Sequence, residues 1–132
     1  MANDTINEIF YEHLINDSAL NAAVDNISYI LNESNIKNNY AVTYMVDDPK
    51  DRLFLCADDE GQARFECILF HTQVSTGVNN RQIFQDTAKS IASTTVGDYR
   101  INDVNIVNVS DSATNINDLF EFSFEFVISW EK

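Results

Sequence analysis

DLFEFSFEFVISWEK, residues 118–132, alternates with a period of two. From Phe120 to Trp130 the even positions are Phe120, Phe122, Phe124, Phe126, Ile128 and Trp130, while the odd ones are mostly Glu and Ser. Successive side chains of a strand point to opposite faces, so this segment predicts a strand with one apolar and one polar side. Each large apolar side chain taken out of water contributes roughly 1.5–3 kcal/mol before entropy is subtracted. The apolar side therefore needs a cover, and the rest of the chain has to supply it.

The clearest cover is a helix that Asn79 or Asn80 would cap, after Gly77 ends the preceding sheet segment. Ile83, Phe84, Thr87, Ala88 and Ile91 fall on one of its faces, with Gln82, Gln85, Asp86 and Lys89 turned to water. The even face of the closing strand should lie against Phe84 and Ile91, leaving Glu121, Ser123 and Glu125 on the other face. Between helix and closing strand, Val104 to Val109 reads as a strand and Ser110 to Asn117 as a loop.

Toward the start, Thr5-Ile6-Asn7-Glu8 has the form of a capping box, followed by Ile6, Ile9, Phe10 and Leu14 at helical spacing to about Ile15. Ser18 is placed to cap a second helical turn carrying Leu20, Ala23 and Val24. Asp25-Asn26 predicts a break, and Ile27, Tyr29 and Leu31 then alternate as a short strand, although Ile27, Ile30 and Leu31 also continue the helical stripe. After a polar loop from Asn32 to Asn39, Tyr40 to Val46 reads as a β-branched and aromatic strand. Leu53–Ala57 and Arg64–Thr72 flank Asp58-Asp59-Glu60-Gly61, which predicts an antiparallel hairpin with Gly61 in its turn. Segregated runs of strands and helices point to an α+β fold: a mainly antiparallel sheet with an N-terminal helix and one longer helix packed on one face.

The length of 132 residues predicts a single domain over 1–132. With 45% apolar and 11% aromatic residues, the chain has the material for a packed core despite its many Asn, Ser and Asp. Eight basic against 21 acidic residues give a formal net charge of −13, which repels phosphate and argues against nucleic acid as a bound ligand. The opening MANDTINEIF has no basic, apolar leader, and no stretch reaches the ~18 apolar residues of a membrane span, so a cytoplasmic product with no membrane partner is expected. Cys56 and Cys67 sit in apolar runs with neither a CxxC spacing nor a His partner, and read as buried free thiols.

No catalytic pattern emerges. Nothing in the sequence places either of the two histidines, His13 on the first helix and His71 at the end of a strand, beside Cys56 or Cys67, and each reads as a surface or rim residue. The carboxylates Asp47, Asp48 and Asp51, with Asp58, Asp59 and Glu60, do not have the spacing of a calcium loop and read as solvated charge. Phosphate-binding glycine loops and a Cys/His zinc quartet are missing too, so no metal or cofactor is implied.

The layout resembles the tail terminator (tail completion) proteins of long-tailed bacteriophages. The similarity runs through a short N-terminal helix, DSALNAAVDNISYIL leading out of it, the strand YAVTYMVDD, and the pair RLFLCA and ARFECILFH. It continues through NRQIFQDTAKSIAS as the long helix and a closing strand ending in FEFVISW. That resemblance implies a virion tail protein, hexameric as a ring, that sits on the last tail-tube ring, stops its growth and offers a surface to the head connector or neck protein. Its partners are further copies of itself, the tail tube protein and that connector; DNA passes through unbound, and no reaction or cofactor is implied. Within such a ring Asp47, Asp48, Asp58, Asp59 and Glu60 would line the lumen or an interface, since a wall poor in Lys and Arg gives phosphate nothing to hold. Two other readings fit the same layout. One is another neck or tail-assembly component; the other is a small ligand-binding module or hydrolase in which a curved sheet grasps a helix.

Overall fold

The computed structural model describes residues 6–28, 36–47, 60–96, 99–113 and 118–131. Two short helices, α1 (Ile6–Ile15) and α2 (Ser18–Ala23), lead into β1 (Asn26–Ser28) and β2 (Tyr40–Asp47). Then follow β3 (Glu60–His71), the long helix α3 (Val74–Lys89), β4 (Thr95–Val96), β5 (Tyr99–Ala113) and β6 (Phe120–Glu131). The strands form one sheet in the order β1-β2-β3-β6-β5-β4. Among the described residues only the β1–β2 pair is parallel; the others are antiparallel, in keeping with the α+β reading.

The closing strand is central, with β3 on one edge and β5 on the other. Its even residues all face the helices, and Phe122, Phe124, Phe126, Ile128 and Trp130 are buried. Phe65, Cys67 and Leu69 of β3 stand opposite Phe126, Phe124 and Phe122, so odd positions of one strand and even positions of the other build a common apolar floor. Phe84 of α3 meets Phe124 edge to face at 5.1 Å, and Ile91 is buried in the same core. Phe10 of α1 packs against both Phe65 and Phe126, at 4.9 and 4.5 Å between ring centres. Alternation in β6 thus sets a layered core, with α3 and α1 as its lid.

The opposite face is less wet than its carboxylates suggest. Tyr40 and Val42 of β2 and Ile68 and Phe70 of β3 join Ile36 and Leu119 in a second buried apolar cluster there. Phe70 is therefore interior, at 1% exposure.

Several local expectations are corrected. Asp17, not Ser18, caps α2: its Oδ1 accepts the Leu20 amide at 2.9 Å, and Ser18 is the first helical residue. Gly61 lies inside β3 opposite Trp130, and not in a turn. A Cβ there would stand 2.7 Å from the Trp130 indole, so glycine serves a close approach in the sheet. Helix α3 starts at Val74 with Gln73 as N-cap, earlier than Asn79 or Asn80. Gly77 is buried in its first turns, where a Cβ would come 2.1 Å from the Phe122 ring. Asn80 is buried too, its amide donating to the Ala23 carbonyl and to Asn39 Oδ1, both at 3.1 Å. This bond ties α3 to the break after α2, where β1 begins as the Asp25-Asn26 reading expects.

Strand β5 is also longer than Val104–Val109. It runs from Tyr99 through Ser110–Ala113, which the sequence reads as loop, held in register with Ser123–Phe120 of β6. The capping residue Thr5, the positions Tyr29 and Leu31, and the strand Leu53–Ala57 lie outside the described residues. Over Arg64–Phe70, β3 has β2 on one edge and β6 on the other. No helix among the described residues is long and apolar enough to cross a membrane.

Candidate functional site

Of the five acidic residues singled out by sequence, Asp48, Asp58 and Asp59 lie outside the described residues. Asp47 ends β2 and Glu60 begins β3. Asp47 is in register with Arg64, and Glu60 with Glu131 of β6, so both backbones sit at the same end of the sheet. Among the described residues no group of three His, Cys, Asp or Glu side chains is arranged to hold a metal ion.

A second set of carboxylates gathers on the sheet face away from the helices, where the sequence places Glu121 and Glu125 but not Glu66. Glu66 of β3 stands directly opposite Glu125 of β6, a cross-strand pair of like charges. Glu125 is offset by Arg64, whose Nη2 lies 3.5 Å from its Oε2, and by the Asn108 amide, which donates to the same oxygen. On the other flank Tyr44 stands opposite Glu66. Burial first, then the hydrogen bond and negative charge of Glu66, push the Tyr44 phenol up to about 12. It remains a neutral hydrogen-bonding group at any physiological pH. The one sequence signal for this cluster is the period of two itself: once the even residues of β6 face the core, Glu121 and Glu125 must share the other face.

The histidines are built into the frame. His13 Nε2 lies 3.0 Å from the Thr87 carbonyl and 2.8 Å from Ser90 Oγ. A carbonyl oxygen only accepts, so Nε2 carries the hydrogen in the first contact and is unable to take the Ser90 proton. Ser90 Oγ in turn donates to Thr87 O at 2.6 Å. The group therefore fastens the end of α1 to the end of α3 instead of forming a nucleophile–base pair. Beside it, Ile9, Glu12, His13, Asn16 and Asp17 line an open depression of about 330 Å³. His71 is buried, contrary to the rim position expected for it, and its Nδ1 accepts the Gln73 amide at 2.9 Å. Cys67 is a buried free thiol, as expected, bonded to Thr43 Oγ1 at 3.3 Å; burial raises its pKa and keeps it protonated. Cys56 lies outside the described residues.

No protein-family model matches the chain, and neither does any curated protein. Among solved structures the fold is similar to a chain in the virion of a native gene transfer agent (GTA) particle. The TM-score is 0.68 at 14% sequence identity, over 93% of this chain and 92% of that one. The two folds therefore correspond over nearly the whole compared length of each chain.

Proposed function

We propose that this chain is a structural virion protein of the tail terminator kind, a single-domain subunit that assembles into a ring, six-membered by resemblance, on the end of a tail tube. The observation that carries the reading is the end-to-end correspondence of fold with a chain of a gene transfer agent virion. The described interior supports it: buried polar groups such as Asn80, Arg81 and His71 are used up in holding elements together, which leaves surface contact as the means of action. In this reading the molecule makes and breaks no bond. Its partners are further copies of itself, the tail tube protein and a head connector or neck protein, and its place is the virion tail.

Asp47 and Glu60, whose backbones share one end of the sheet, and with them Asp48, Asp58 and Asp59, would then face the lumen or a subunit boundary. A net charge of −13 keeps such a wall from holding DNA as it slides past. The deciding experiment is negative-stain microscopy of the protein mixed with its tube protein. Capped tubes of fixed length are expected; tubes that keep growing would remove the reading.

A further inference from the structure

Strand β5 has one satisfied edge and one open edge. From Arg100 to Ala113 it pairs with β6, apart from slips at Asn102 and at Asn108–Val109, but on its outer side β4 reaches only Tyr99 and Arg100. The turn before β4 adds bonds at Ile101, whose amide donates to Thr94 O and whose carbonyl accepts from Ser93 N. From Asp103 to Ala113 the outer edge has no strand neighbour among the described residues. At roughly 3.4 Å per residue this exposes roughly 35 Å of backbone donors and acceptors. An extended segment is the one partner whose own backbone can satisfy such a row.

The side chains around the edge are apolar where apolar groups are otherwise rare outside. Val109 on β5 is 50% exposed, and Val74 and Val78, one turn apart on α3, are 51% and 38% exposed. Arg81, the next turn along from Val78, donates to the Ser110 carbonyl at 3.0 Å and pairs with Asp111, so the flank of α3 borders the same stretch of β5. Charge is nearly absent here. The edge holds two ionisable groups, Asp103 at its start and Asp111, which Arg81 neutralises; the residues between them, VNIVNVS, carry none. On the opposite face Glu121 and Glu125 are engaged by Ser112 and Asn108.

Local neutrality selects the occupant. Two copies of a chain carrying −13 repel one another over most of their surfaces, and they can meet where charge is missing or paired. A cationic partner would be drawn to the carboxylates elsewhere. From this we infer that the outer edge of β5, with Val109, Val74 and Val78 beside it, is the surface on which an extended segment of a second copy of this chain docks. The inference rests on the ring reading above and names the contact that builds the ring.

The test is a photo-crosslinker, Val109→p-benzoylphenylalanine, irradiated in concentrated protein alone and in a mixture with tube protein. Glu12, exposed on α1, carries the probe in a control. Self-crosslinked product from position 109 and none from position 12 is expected. Adding Val78→Glu, with circular dichroism confirming the fold, should cut that product by about tenfold or more, because it sets a negative charge against a partner copy that itself carries −13. Capped tubes without a self-crosslink, or a crosslink to tube protein alone, would overturn this inference and leave the terminator reading standing. A self-crosslink with tubes left uncapped would support the contact and sink the terminator reading. No self-crosslink in either sample overturns the contact whatever the tubes do.

Discussion

Strands β5 and β6 lie side by side in one ladder, yet they are built on opposite terms. β6 has a neighbour on each edge and its even residues under the helices, so from Phe122 to Trp130 burial alternates strictly. β5 buries Tyr99, Ile101 and Val104, slips register twice, once between Ile101 and Asp103 and again between Val107 and Ser110, and stays exposed from Asn108 on. Asn108 takes a φ of 53° in the second slip, a left-handed conformation that Asn tolerates better than most residues. One strand is held by side chains. The outer half of the other is held by its backbone and by Arg81.

That contrast orders the expected effects of substitution, each measured by urea titration. Phe124→Ala empties the centre of the β6 floor beneath Phe84 and should cost about 3–5 kcal/mol; a loss under 1 kcal/mol would contradict the layered core. Ile101→Ala, in the buried half of β5, should cost about 2–4 kcal/mol and show that this half resembles β6. Gly77→Ala pushes a methyl group into the Phe122 ring and should cost about 1–3 kcal/mol, although alanine is the better helix former by roughly 1 kcal/mol. A stabilised Gly77→Ala protein would mean that α3 sits farther from β6 than described. Val109→Ala, on the open half of β5, should change stability by about 0.5 kcal/mol or less. A larger loss would place Val109 in the core of the monomer and erase the difference between the two halves.

How far the chain could be read follows the same divide. β6 was legible because its period of two is a property of neighbouring residues, and the role of Phe84 and Ile91 as its cover followed from helical spacing. The outer half of β5 was not legible: NVSDSA has the composition of a loop, and only the ladder with Phe120–Ser123 makes it a strand. The start of α3 was hidden because Gly77 looks like a terminator, whereas its cause is the Phe122 ring, distant in sequence and close in space. Gly61 misleads in the same way through Trp130. For the candidate site, charge alone marked Asp47 and Glu60, which do share one end of the sheet. The facing pair Glu66 and Glu125 needed the register of β3 on β6, and no single stretch of sequence contains it.

The register of β3 carries a consequence for biosynthesis. Glu60 through His71 find their partners in Phe120 through Glu131, so the central pair of the sheet joins segments synthesised far apart in time. Until β6 leaves the ribosome, Phe65, Cys67 and Leu69 have half their floor missing and one row of amides unmatched. Such long-range pairing slows folding and leaves a window in which nascent chains can stick to one another. A cell making many copies at once would need that window kept short, or guarded by a chaperone, for the subunits to reach their ladder intact.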